Sequence, residues 1–223
     1  MCFNASFSFG ASAVLGVIGL VTLKKTKSPL QFAFASIPMI FAIQQFVEGV
    51  LWLAMQQPDF IINQQIATYI FIVIAQVIWP VWVPFSIMLM EEEKKRKKIL
   101  SLLVVIGAFS SIVGIYHIMY YHVVAQNDCH HIKYVFNDPW ILLPLINLFY
   151  VLTTVISLFV SSVKGMNLFG VLTAITLIIA QLFFEVYRIS VWCFFAAIVS
   201  CMIFIIISGL NSVSKIQSAA VLD

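Results

Sequence analysis

The stretch IPMIFAIQQFVEGVLW, Ile37 to Trp52, decides how this chain is read. It is apolar enough to lie in lipid, yet it carries Gln44, Gln45 and Glu48 in its middle. Placing an ionisable side chain at the centre of a membrane helix costs about 3 kcal/mol on insertion scales, so such a residue normally faces the bundle interior and marks function. The stretch is therefore read as a transmembrane helix with a polar inner face.

The rest of the chain agrees. Of its 223 residues, 62% are hydrophobic and 9% charged, with a mean hydropathy of +1.06; about 25% charged is usual for soluble domains. Runs of about 20 apolar residues can each cross a hydrocarbon core of roughly 30 Å. Such runs predict an all-α, polytopic bundle of seven transmembrane helices, at Ala5–Leu23, Pro29–Met55, Ile62–Met90, Ile99–Val124, Trp140–Val163, Leu168–Val186 and Ser190–Leu210. Residues 1–223 are expected to form this single domain. The first run lacks a basic signal-peptide flank and is read as a retained span. The weakest division is at Tyr187–Ile189, where a missing turn would reduce the count to six.

Charge orients the bundle. Lys24, Lys25 and Lys27, the block EEEKKRKK from Glu91 to Lys98, Lys164 and Lys215 all fall at alternate ends of the spans. By the positive-inside rule these ends are cytoplasmic and the N-terminus is outside. The block at Glu91 is read as a solvated anchor with a topological role only. The net charge of +3, carried in short clusters between apolar runs, implies lipid contact and no nucleic-acid partner. Prolines in WPVWVP, Trp79 to Pro84, predict a kink in the third span, whose freed carbonyls should face protein or a wet cavity.

The intramembrane polar residues form a short set. Gln44, Gln45, Glu48 and Trp52 share one side of the second span, and Gln181, Glu185 and Arg188 repeat a carboxylate-beside-amide arrangement on the sixth. At about 1.5 Å per residue, Glu48 and His117 both lie roughly 13 Å below the outer loops, with Gln76 roughly 20 Å down. An outward-facing polar pocket is the simplest common reading, with Glu48 as its floor. The aromatic residues Tyr116, Tyr120, Tyr121, Trp140, Tyr187 and Trp192 are accounted for by an interfacial belt. Gln44, Gln45 and Gln76 have an alternative role as hydrogen-bonding glue between helices, and Glu185 with Arg188 an alternative as a structural ion pair.

A catalytic zinc site needs about three protein ligands and an open position. Glu48, His117 and Glu185 could supply them for a divalent metal such as zinc, with His122 or Cys2 as substitutes. Cys2 is also a candidate nucleophile, or a disulfide partner of Cys129 on the same outer side, or a plain buried thiol. Cys193 and Cys201 read as small apolar fillers.

The opening MCFNASFSFGA, the basic residues after the first span and the helix containing Gln44, Gln45, Glu48, Gly49 and Trp52 carry a resemblance. They resemble a family of small bacterial integral membrane proteins of unknown function that begin M-C-F-S-A and share a Q-Q-x-x-E-G-x-x-W helix. Asn4 stands where that family has serine. The resemblance implies a bacterial inner-membrane protein and no particular chemistry.

Three functional readings follow. One is a metal-assisted membrane enzyme acting on lipid or a small molecule, with Glu48, His117 and Cys2 as catalytic candidates. The second is a proton- or cation-linked transporter, receptor or sensor that uses Glu48. The third is a structural or assembly role.

Overall fold

The computed structural model describes residues 4–56, 61–128, 131–136 and 143–220. Helix α1 (Ala5–Lys25) starts at Asn4, whose Oδ1 accepts from the Phe7 N–H at 2.9 Å. Asparagine is among the preferred N-cap residues. A short α2 (Pro29–Ala35) and α3 (Ile37–Ala54) form one span, offset at Ser36. Helix α4 (Ile61–Val73), a π-helical segment (Ile74–Ile78) and α5 (Trp79–Met90) form the next. Then come α6 (Lys94–Tyr120), strands β1 (Val123–Asp128) and β2 (His131–Phe136), and α7 (Leu143–Val151). A second π-helical segment (Leu152–Ile156) leads into α8 (Ser157–Val160). The chain continues through α9 (Met166–Phe183), a 3-10 turn (Glu185–Tyr187), α10 (Arg188–Val199) and α11 (Met202–Ala220).

Six of the helices among the described residues are long and apolar enough to cross a membrane, and Ile146–Val160 is a shorter apolar helix. This is consistent with a membrane protein. The last two expected spans are separate, divided by the 3-10 turn. The first residues of the expected fifth span lie outside the described ones, and its described part contains the shorter helix. Large apolar side chains such as Val14, Val17, Ile62, Met119, Leu182 and Ile205 are exposed, while Gln44, Gln45, Glu48, Thr153 and Ser157 are buried. Apolar groups outward and polar groups inward is the arrangement that lipid favours.

The all-α expectation needs one correction. Val123–Asp128 and His131–Phe136 pair antiparallel, with Val123 opposite Phe136 and Asp128 opposite His131. The sequence reading ran the fourth helix to Val124, but α6 stops at Tyr120 and His122 takes a positive φ of 37°. That left-handed residue turns the chain into the hairpin. Val123, Ala125, Ile132 and Tyr134 then point from one face into the core, following the two-residue period of strands. Gln64 Nε2 donates to the Ala125 carbonyl at 2.9 Å, Tyr187 Oη donates to Asp128 at 2.9 Å, and Phe71 stacks on Tyr134. These contacts dock the hairpin against α4 and the 3-10 turn.

The expected break before α5 has a defined form. Pro80 has no N–H, and the Trp79 N–H reaches back to the Ile74 carbonyl, the wider spacing of a π turn. Carbonyls freed by this break are met by side chains of other helices. Tyr150 Oη donates to Ala75 O at 2.7 Å and Ser111 Oγ to Val77 O at 2.6 Å. Helix α6 approaches so closely that a Cβ on Gly107 would lie 2.0 Å from the Pro80 carbonyl oxygen, and one on Gly114 3.3 Å from that of Gln76. Both tryptophans of WPVWVP anchor this span to its predecessor. Trp79 Nε1 donates to Gln44 Oε1 at 3.0 Å, and Trp82 Nε1 to the Ala33 carbonyl at 3.1 Å beside the Ser36 offset.

At the basic end, the block from Glu91 to Lys98 does more than the solvated anchor the sequence suggested. Glu91 is 2% exposed. Its carboxylate accepts from the Ser162 N–H at 2.7 Å, the Ser162 hydroxyl at 2.6 Å and the Glu93 N–H at 3.2 Å. Arg96 Nη1 donates to the Val160 carbonyl at 3.0 Å, capping α8, while its Nε pairs with Glu93. Burial pushes the Glu91 carboxyl upward, but the bonds from Ser162, Glu93 and Ser161 outweigh it and hold the group below its usual range.

Two outcomes follow for thermal unfolding of detergent-solubilised protein. Gly107→Ala should cost about 2 kcal/mol or more, because backbone cannot retreat from the new methyl; Gly10→Ala, with nothing among the described residues within 4 Å of its Cβ, should be neutral or slightly stabilising. Glu91→Ala should cost about 2–3 kcal/mol through lost bonds to a charged acceptor. Because folding lowers its pKa, the Glu91 contribution is fully present above the unfolded value near 4.5 and fades as pH falls through the folded value. A Glu91→Gln protein whose stability fell with acid as steeply as the parent's would contradict this assignment.

Candidate functional site

The second span supplies the deepest polar group. Glu48 is 3% exposed, with Gln44 and Gln45 fully buried. The helical period puts all three on the inward side, while Gly49 admits the Phe9 ring of α1, which a Cβ would meet at 2.7 Å. Trp52 is buried in the core cluster that also holds Tyr134 and Cys193. Glu48 Oε1 accepts from Ser190 Oγ of α10 at 2.5 Å, a bond between residues 142 apart in sequence. Gln45 approaches Glu48 without hydrogen-bond geometry, and among the described residues both its amide atoms lack partners, as does Gln44 Nε2 near the Cys193 thiol. Among the described residues the ion pair is Arg96–Glu93, so no cation pairs with Glu48.

Beside this nest lies a cavity of about 200 Å³. Its polar wall comprises Gln76 from the π segment, Ser110 and His117 from α6, Asn147 from α7, and Glu185 and Arg188 at the junction of α9 and α10. Its aromatic wall is Tyr134, Phe136, Tyr150 and Trp192. Ser190, which bonds Glu48, lies on α10 between the lining residues Ile189 and Trp192, so Glu48 adjoins the cavity without lining it. The Tyr134 hydroxyl, in the hairpin, is pushed well above the usual phenol range by burial first and by Glu48 and Cys193 second. It has no hydrogen-bond partner among the described residues, and neither does the Trp192 indole N–H. A smaller apolar cavity of about 50 Å³ lies beyond Tyr150, Trp192 and Cys193, which face both spaces.

The sequence set divides accordingly. His117, Gln76, Glu185 and Arg188 do come to one cavity. His117 stacks against Phe136 with centroids 4.9 Å apart. Glu48, Gln44, Gln45 and Trp52 lie in the adjoining nest. Gln181 is exposed and accepts from Arg188 Nη1 at 2.6 Å. That bond replaces the ion pair expected between Arg188 and Glu185. The expected metal set of Glu48, His117 and Glu185 does not assemble: among the described residues no three His, Cys, Asp or Glu groups are close enough to hold an ion. Glu48 is turned to Ser190, His117 packs on the hairpin, and Glu185 is exposed on the 3-10 turn. His122, the substitute ligand, is exposed and lies 3.4 Å from Tyr69 Oη. Cys2 and its pairing with Cys129 lie outside the described residues.

Sequence reasoning missed Ser190, Asn147, Tyr134 and Tyr150, and took Trp192 for a membrane belt and Cys193 for filler. One signal was present: Ser190 and Cys193 are three apart on one helix, the spacing of a shared face.

Removing the Ser190 hydroxyl strips the Glu48 carboxyl of its donor. Ser190→Ala should lower stability by about 1–3 kcal/mol. Glu48→Gln should cost less, since an amide oxygen can still accept from Ser190. Unfolding midpoints of the two variants compare directly, and a Ser190→Ala protein as stable as the parent would remove this bond from the account.

No curated protein and no solved structure matches the chain. Residues 1–218 match the family model described as a family of unknown function, DUF6629; the match spans nearly the whole chain, which therefore belongs to that family.

Proposed function

We propose that this chain is an integral membrane protein of a bacterial inner membrane, N-terminus outside, that admits a small ligand to an outward-facing polar cavity. The protonatable Glu48 stands behind the cavity wall, in the manner of a proton-linked transporter, receptor or sensor. The observation that carries this reading is the adjacency of the cavity to Glu48 through α10, whose Ser190 bonds Glu48 while its neighbours Ile189, Trp192 and Cys193 line the cavity. A buried carboxyl with a hydroxyl for a partner and amides around it changes charge when its surroundings change, which links a proton to whatever fills the cavity.

The direction of opening is supported by where the two kinds of chain end lie. Lys25 and Lys27 bond to Ser208 and Asn211 of α11, and Glu91 and Arg96 bond to Ser162 and Val160, so basic ends meet basic ends. The hairpin, which bears Tyr134 and Phe136, follows the opposite end of α6. On the positive-inside rule the hairpin end is outside. The shorter helix Ile146–Val160 would complete seven crossings. A metal-assisted reaction is not part of this reading, because the donors among the described residues do not converge.

Access from outside is measurable in whole cells. In a protein whose native cysteines are replaced, Asn147→Cys should react with a membrane-impermeant thiol reagent added externally. Leu148→Cys, next to it and exposed on the apolar surface, should not. Labelling of Asn147→Cys only after permeabilisation would place the cavity on the other side and overturn the orientation; no labelling in either condition would overturn the open cavity itself. With a ligand in hand, Glu48→Gln should flatten the pH dependence of its binding.

A further inference from the structure

The charged and unpartnered groups of the cavity narrow what it can hold. Arg188 is half-buried at the start of α10, and its bond to Gln181 fixes the guanidinium while using one of its five N–H donors. Among the described residues no carboxylate lies within ion-pair distance of it. A guanidinium at the edge of an apolar bundle, with donors still open, calls for an anion, and its planar fork matches the two oxygens of a carboxylate. Two further donors on the same walls lack acceptors among the described residues: the Trp192 indole N–H and the Tyr134 hydroxyl, each on a side chain 8% exposed.

Size and neighbouring charge restrict the anion further. The cavity of about 200 Å³ is smaller than the roughly 300–1,000 Å³ of pockets that take drug-sized ligands. A fatty acyl chain is too long for it. Glu185 lines the same space, so a second negative charge on the ligand would meet a like charge. The rest of the lining, Phe136, Tyr150 and Trp192, is aromatic and suits a short apolar body.

We propose that the cavity binds a short monocarboxylate, its carboxylate in the fork of Arg188 and its apolar end against Trp192 and Tyr150. This rests on the reading that the cavity is an open ligand site.

The test uses full-length protein in detergent and its tryptophan fluorescence. Sodium propionate, butyrate and benzoate are titrated against matched sodium chloride, and in parallel propionamide, butyramide and benzamide, which keep the shape and lose the charge. The acids should give a saturable change with the amides weaker by about tenfold or more, the factor expected for losing a charged hydrogen-bonded pair. Arg188→Gln should weaken the acids by a similar factor, and Arg188→Lys by less. Acids and amides that bind wild-type protein alike, or acids that bind folded Arg188→Gln as well as wild type, would overturn the carboxylate assignment while leaving the cavity a ligand site. No saturable response to either panel, with Asn147→Cys still labelled from outside, would overturn this inference alone. An unlabelled Asn147→Cys would bring down the reading beneath it as well.

Discussion

A backbone carbonyl freed inside an apolar bundle has no water to turn to, and this chain meets that constraint where Pro80 interrupts its span. The π turn before Pro80 leaves carbonyls that Tyr150 and Ser111 satisfy from two other helices. Each unmet group would cost several kcal/mol in hydrocarbon, so α6 and α7 are held to the break. Gly107 and Gly114, seven residues apart, let α6 lie against it. The cavity is bordered by these same parts: Gln76 from the break, Ser110, Gly114 and His117 from α6, Tyr150 from α7. An irregular backbone thus sets the position of the polar side chains around it.

Beyond the aromatic wall, the reverse holds. Around Glu48 several buried groups have no partner among the described residues: both amide atoms of Gln45, the Gln44 amide nitrogen and the Tyr134 hydroxyl. Native interiors rarely leave such groups unmet, and those that persist accompany function. The same span satisfies its other polar demands, with Trp79 on Gln44 and Ser190 on Glu48. The unmet groups are therefore local to the nest, next to the cavity, and not a general looseness of the helix.

Much of this was legible in the residues. Long apolar runs require helices, because only a helix satisfies its own backbone in lipid, and Glu48 among them announced a buried polar centre. Helical rise led to the expectation of a shared level for Glu48 and His117, yet equal depth is not contact: Glu48 turns to Ser190 and His117 to Phe136. The hairpin could have been read from the alternation in HIKYVF, but its position after a long apolar helix hid it. Glu91 sat in a run of eight charges, and nothing local distinguishes the one carboxylate that Ser162 buries.

What the sequence by itself determined is the set of long apolar helices, the break at WPVWVP and the inward polar stripe at Gln44, Gln45 and Glu48. These follow from periodicity and from the cost of polar groups in lipid, both local properties of the chain. What only the tertiary structure decided is which polar groups share a space. Ser190 reaches Glu48, Arg188 turns to Gln181, and Tyr134 of the hairpin lines the cavity with His117 and Arg188. Those partners lie on different elements, and side-chain contacts across elements depend on helix rotation and neighbour choice, which no local pattern encodes.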